Sequence, residues 1–258
     1  MDVKSILIVG IGSGNPEHMT VQAINALNAA NVLFIPTKGE AKAQLADIRH
    51  DIISRYVTRP DSRTVDFDIP VRQTADRSYH QSVDQWHAAI ATAYERLLLE
   101  ELGEGQIGAF LVWGDPMLYD STIRIIERVR ALETVAFDYS VIPGITSIQA
   151  LAASHRIPLN LVGKPVEVTT GRRLAESFPQ RSETVVVMLD GEQAFMKIED
   201  PDARIYWGAY LGTEQEIVIS GRLAEVKEDI LASRAEARAR HGWIMDIYLL
   251  QKGADFEE

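Results

Sequence analysis

Three glycine-bearing segments carry the residues best placed to do chemistry. Gly10-Ile11-Gly12-Ser13-Gly14-Asn15-Pro16 follows the apolar run Ile6-Leu7-Ile8-Val9. Trp113-Gly114-Asp115-Pro116-Met117-Leu118-Tyr119-Asp120-Ser121 follows Ala109-Phe110-Leu111-Val112, and Pro143-Gly144-Ile145-Thr146-Ser147 follows Ser140-Val141-Ile142. Glycine at the end of a strand lets a ligand or a neighbouring strand lie against bare backbone. In a parallel sheet such ends share the carboxyl edge, where open α/β folds bind ligands. Asp115, Thr146 and Ser147 could equally hold turns or cap helices, so the residues alone leave a binding and a structural role open.

The first segment does not fit the usual nucleotide loops. A G-x-G-x-x-G dinucleotide fingerprint started at Gly10 meets Asn15 at its last position, and one started at Gly12 meets Glu17. The acidic residue expected after the second strand is missing, because residues 32–36 run into Thr37-Lys38-Gly39. No Gly-Lys-Ser/Thr closes the loop as in a P-loop.

The elements that must position these segments follow from periodicity. Short β-branched runs at 6–10, 32–36, 64–67, 108–113 and 137–142 alternate with helical patterns at 20–29, 41–55, 78–102 and 121–132. That alternation predicts a mostly parallel sheet covered by helices on both faces. Trp86, Ala89, Ile90, Ala93, Leu97 and Leu98 form the core-facing stripe of the longest helix. From residue 143 the rhythm changes to strands at 166–170, 184–189, 204–210, 216–220 and 243–251, with helices near 146–154 and 223–239. The chain is therefore expected to be α/β with an N-terminal domain at 1–142 and a C-terminal α+β domain with a mixed sheet at 143–258.

A formal net charge of −11 argues against a nucleic-acid partner, whose phosphates need clustered Lys and Arg. The chain has no cysteine, so disulfides, thiolate metal sites and a cysteine nucleophile are excluded. The six histidines are scattered and no metal site is expected; His18, the one beside a glycine segment, is assigned a hydrogen-bonding role. No stretch approaches the length of a membrane span, and a cytoplasmic enzyme is the expectation.

Taken in order, VGIGSGNPEHMT, VWGDPMLYDST and VIPGITSIQALA resemble the signature segments of the tetrapyrrole methylase family over essentially the whole chain. The resemblance implies a two-domain α/β fold that binds S-adenosylmethionine in a cleft between the domains and releases S-adenosylhomocysteine. A cofactor without phosphate accounts for the failed dinucleotide pattern. The run Lys38-Gly39-Glu40-Ala41-Lys42-Ala43 and the wording WGDPMLYDST are most similar to members that methylate carbon 1 of precorrin-5 with loss of acetate. Asp120 stands where many members carry glycine. Uroporphyrinogen III and precorrin-2 methylation stay open as alternatives, as do a non-catalytic SAM sensor and a nicotinamide-dependent oxidoreductase.

By the family's pattern, the SAM contacts fall on Gly12, Pro16, Trp113, Gly114, Asp115 and Leu118, on Thr146 and Ser147, and on Met188 and Ala209 of the second domain. Lys38, Glu40 and Asp120 are the candidate catalytic residues for the deacylation. Tyr119 flanks the Gly-Asp-Pro corner beside Asp120, and Tyr210 with Glu214 lies at a strand end in the second domain. Arg172-Arg173, after a glycine turn, is the candidate pair for substrate carboxylates, whereas the basic run 234–240 reads as a solvated helix face. The resemblance also implies a homodimer.

Overall fold

A computed structural model describes residues 3–37, 43–73, 79–177, 179 and 182–252. The chain divides into two compact units, Met1–Ile145 and Thr146–Glu258.

The first unit alternates strands and helices. Strands β1 (Lys4–Gly10), β2 (Val32–Thr37), β3 (Arg63–Asp68), β4 (Ile107–Val112) and β5 (Phe137–Ile142) form one sheet in the order β3-β2-β4-β1-β5, and every pairing is parallel. Helices α1 (Val21–Ala29), α2 (Ala43–Tyr56), α3 (Tyr79–Glu100) and α4 (Thr122–Ala131) connect them. Two apolar clusters account for the sheet. One gathers Ile6, Ile8, Phe34, Phe110, Leu98 and Ile126; the other gathers Val9, Leu33, Ile35, Leu27, Ile52 and Leu111. Ile6 and Ile8 fall in the first and Val9 in the second, as the alternating sides of a strand buried on both faces require. Because β4, β1 and β5 are neighbours, the three glycine segments emerge side by side along one carboxyl edge.

The core face of α3 differs from expectation by a small rotation. Ile90, Leu97 and Leu98 are buried, but so are His87, Ala91 and Tyr94, while Ala89 is exposed. The face runs through 87, 90, 91, 94 and 98 at helical spacing, so a histidine and a tyrosine outside the expected stripe join the core face.

The second unit holds β6 (Val166–Thr170), β7 (Thr184–Met188), β8 (Arg204–Ala209), β9 (Ile217–Arg222) and β10 (Asp246–Gln251) in the order β6-β7-β10-β8-β9. The β6–β7 pairing is parallel and the others antiparallel, giving a mixed sheet. Its helices are α5 (Ser147–His155), α6 (Gly171–Glu176) and α7 (Leu223–His241).

Two expectations are corrected in this unit. Gly171, expected to form a turn, opens α6, which carries Arg172 and Arg173, and Arg173 Nη1 pairs with Glu176 at 2.9 Å on the surface. Nor is the basic run of α7 wholly solvated. Arg234 is buried, its Nε donating to Asp246 Oδ2 at 2.9 Å and its Nη2 to the Asp190 carbonyl at 3.2 Å. The periodicity of charge cannot reveal a partner such as Asp246, which lies on another element.

Candidate active site

The three glycine segments meet backbone to backbone. Gly12 and Gly114 exchange hydrogen bonds, Gly114 N–H to Gly12 O at 2.8 Å and Gly12 N–H to Gly114 O at 3.3 Å. A Cβ at Gly144 would fall 2.2 Å from Gly114 O, and one at Gly10 would fall 2.6 Å from Gly144 N. Gly10 and Gly144 are thus required by contact between strand ends and not by a ligand. Gly12, at φ +81°, is fixed by its left-handed conformation, and its Cβ would meet His18 Cβ at 2.6 Å.

Gly114 differs from these three. Its φ is +68°, yet a Cβ there would meet nothing within 4 Å. Its side therefore faces open space at the carboxyl edge, bordered in sequence by the exposed Met117 and the half-buried Leu118. Gly114→Ala should cost about 1–2 kcal/mol of stability through the left-handed backbone and lower affinity for a ligand seated on this corner by about tenfold or more. Chemical denaturation and calorimetric titration of the same variant check the two effects.

Asp115 is buried and acts as a clasp. Its Oδ1 accepts from Met117 N–H and its Oδ2 from Gly144 N–H, both at 2.8 Å, tying the second segment to the third. The carboxylate is spent on structure, the alternative its sequence context left open. Thr146 is likewise the N-cap of α5: its Oγ accepts from Ile148 N–H at 3.2 Å, and Gln149 Oε1 returns a bond from Thr146 N–H at 2.8 Å. Ser147 opens α5 and is partly exposed. Pro16 opens a 3-10 turn capped by Asn15, whose Oδ1 accepts from Glu17 N–H, and His18 Nδ1 lies 3.3 Å from Ser13 Oγ.

Asp120 Oδ1 accepts from Thr122 N–H at 2.7 Å and so caps α4. Behind it Arg49 of α2 is buried, with Nε donating to Leu111 O at 3.0 Å and Nη1 to Leu45 O at 2.6 Å. Burial draws the Arg49 guanidinium down to about 10, against the pull of Tyr94 and Asp120 in the other direction, and it stays cationic at neutral pH. Burial raises the Tyr94 phenol above its usual value. Tyr119, just before Asp120, is exposed with φ +52°. Lys38 and Glu40 lie outside the described residues.

His87 was not among the candidates. Its Nε2 stands 2.9 Å from Ser121 Oγ. Burial, then Arg128 and Arg124, hold its imidazole below the ordinary 6.5, while Asp84 and Asp120 oppose them. As pH falls through the unfolded value, the unfolded chain takes up the proton first, so stability declines below about pH 6.5. His87→Gln should flatten this acid limb, measured as denaturant midpoints at about pH 7.5 and about pH 5.5.

In the second unit Met188 and Ala209 end β7 and β8. Both strands are antiparallel to β10, so the two residues share one sheet edge, opposite Ile247 and Asp246. Met188 is partly exposed, whereas the Ala209 side chain is fully buried, leaving only its backbone for a ligand. Tyr210 is also buried, its hydroxyl donating to Trp243 O at 2.5 Å, which ties the end of β8 to the segment before β10. Glu214 is exposed.

None of the three glycine segments contains Lys or Arg. The corner thus presents backbone, apolar side chains and carboxylates, which suits a neutral or cationic ligand and not a phosphate.

The family model for Tetrapyrrole (Corrin/Porphyrin) Methylases matches residues 5–227. The chain is 74% identical over 256 residues, 99% of it and 98% of the relative, to the Precorrin-6A synthase [deacetylating] of Sinorhizobium sp. It is 29% identical over 202 residues, 73% of it and 74% of the relative, to the Precorrin-2 C(20)-methyltransferase from Sinorhizobium sp. A crystal structure of a cobalamin synthesis related protein (CobF) from Corynebacterium diphtheriae superposes with TM-score 0.84 at 36% identity, covering 98% of this chain and 100% of that one. With its three glycine strand ends joined at one edge and a family match that spans all of them, the chain belongs to the tetrapyrrole (corrin/porphyrin) methylases.

Proposed function

We propose that this chain is an S-adenosylmethionine-dependent C-methyltransferase of cobalamin biosynthesis that methylates carbon 1 of precorrin-5, with hydrolytic loss of acetate, to give precorrin-6A. The observation that carries this reading is the 74% identity, end to end, to a precorrin-6A synthase that is deacetylating by name. A precorrin-2 methyltransferase is only 29% identical over a shorter span.

Bound S-adenosylmethionine would supply an electrophilic methyl group on a sulfonium. The corner fits such a ligand: Gly114 leaves room for it, and the absence of Lys and Arg from the three segments suits a cation. In this reading the backbone at Gly12, Trp113, Gly114 and Asp115, with Pro16, Leu118, Thr146 and Ser147, holds the methionine portion, and Met188 and the Ala209 backbone serve the adenosine. The chain's contribution to methyl transfer is alignment, because an electron-rich carbon nucleophile needs little acid–base help. Deacylation needs more, since the acetyl carbonyl must be attacked and its developing charge stabilised. Lys38 and Glu40 remain candidates for that region, while Asp120 is placed as the cap of α4 and a negative charge beside His87 and Arg49. We take the protein to be a cytoplasmic homodimer, which light scattering would test for the assembly.

A panel of enzymatically prepared precorrin-5, precorrin-2 and uroporphyrinogen III, each with S-adenosylmethionine and mass spectrometry of the product, tests the reading. It predicts turnover of precorrin-5 alone; methylation of either other tetrapyrrole in its place would overturn the substrate assignment and leave the family intact. Calorimetry with NAD should give no heat of binding.

A further inference from the structure

One polar pair on the carboxyl edge stands outside the capping contacts. Ser121 is the N-cap residue of α4, yet its side chain makes no capping hydrogen bond, and Asp120 Oδ1 accepts from the Thr122 N–H. The Ser121 hydroxyl turns to His87 Nε2 instead, at 2.9 Å. His87 is buried and Ser121 is partly exposed, so a molecule at this edge meets the hydroxyl first and the imidazole stands behind it. That is the order of a nucleophile and its base. Ser121 also sits at the start of a ten-residue helix, whose N-terminal dipole favours a developing alkoxide or oxyanion.

We propose that Ser121 and His87 are the nucleophile and general base that remove the acetyl group, with Ser121 Oγ taking the acetyl and His87 Nε2 the hydroxyl proton. The inference rests on the reading that the substrate carries an acetyl group on carbon 1. In the step, Oγ bonds to the acetyl carbonyl carbon and its proton passes to Nε2. The bond from that carbon to carbon 1 breaks, and its electron pair stays on carbon 1, where the proposed methyl transfer consumes it. The imidazolium then releases its proton to solvent; water attacks the acetyl ester of Ser121, its proton passing by way of Nε2 to Oγ, and acetic acid leaves. Among the described residues, the charged groups acting on His87 fit a base that is neutral before the step. Arg124 and Arg128 of α4 disfavour its protonated form, and Asp84 of α3 and Asp120 of the corner stabilise the imidazolium that forms.

The cysteine-free chain makes the test direct. Wild type, Ser121→Ala, Ser121→Cys and His87→Gln are incubated with precorrin-5 and S-adenosylmethionine. Acetate is measured, and acid-quenched samples are digested for peptide mass spectrometry. Wild type is expected to carry one acetyl on Ser121 during turnover, and Ser121→Cys to lose its single titratable thiol. Ser121→Ala and His87→Gln should each release acetate about 100-fold more slowly or worse, while binding S-adenosylhomocysteine as wild type does. If wild type releases acetate and Ser121→Ala keeps that rate within about threefold, with residue 121 never acetylated, the inference is overturned and the functional reading stands. If wild type methylates a tetrapyrrole without acetate, the reading and the inference fall together.

Discussion

Gly144→Ala is expected to yield a protein that unfolds in mild denaturant or does not accumulate in soluble form. The added Cβ would lie 2.2 Å from Gly114 O and 2.8 Å from the Gly10 carbonyl carbon. A flexible side chain could swing away, but these obstacles are backbone atoms of two neighbouring strand ends, which cannot move without parting β1, β4 and β5. Overpacking usually costs about 1–3 kcal/mol; here a loss above about 3 kcal/mol is expected, a large share of a total near 5–15 kcal/mol. Gly163→Ala supplies the control. Gly163 has φ +70° and nothing within 4 Å of its would-be Cβ, so only left-handed strain applies, about 1–2 kcal/mol. Urea midpoints of the two variants should separate widely, and similar midpoints would contradict the packing of the strand ends described above.

Asp115→Ala carries the next largest effect, and it divides between stability and binding. The substitution removes the only acceptor described for the N–H groups of Met117 and Gly144. Hydrogen bonds to a charged group contribute about 1.5–3 kcal/mol each, so a loss of roughly 2–5 kcal/mol follows, less whatever water recovers by entering. The corner at Gly114 then loses its fixed position against the third segment. Affinity for S-adenosylhomocysteine should fall by about 100-fold, the equivalent of roughly 3 kcal/mol. Asp115→Asn should lie between wild type and alanine, because an amide accepts through one oxygen and presents its NH2 to the other donor. Calorimetric titration beside denaturant unfolding resolves the two effects. Unchanged affinity in a destabilised Asp115→Ala would remove the corner from the binding site.

The sheet of the first unit was legible because strands buried on both faces are written as unbroken apolar runs. Residues 137–142 match β5 at both ends, and the other strands differ by a residue or two, through pairing beyond the apolar stretch at Lys4 and Ser5 of β1 and through β4 ending at Val112, one residue before Trp113. The short helix α6 was missed: six residues beginning with glycine give too little periodicity to read. Residues 243–245 were assigned to the last strand, but β10 begins at Asp246. Gly242, at φ +75°, ends α7, and the chain from there must first pass Tyr210, whose hydroxyl holds Trp243 O and whose N–H holds Met245 O.

The site was legible only in its backbone. Glycines at strand ends pointed to the corner, and they also hinted at close approach between strands, which is what Gly10 and Gly144 provide. The polar contacts across elements were not written locally. Arg49 and Leu111 are 62 residues apart, and His87 and Ser121 are 34 apart. One signal was present for His87. It stands at the core-facing end of the stripe through Ile90, Ala91, Tyr94 and Leu98, and a buried imidazole at such a place needs a hydrogen-bond partner.

Deacetylation and methylation are read together in a single incubation of wild-type protein with precorrin-5 and methyl-labelled S-adenosylmethionine, in which acetate and labelled methyl are quantified from the same reaction and the label is located by carbon NMR. Acetate and methyl are expected in equal amounts, with the label on carbon 1. Methyl on another carbon, or methyl transfer without acetate, would contradict it.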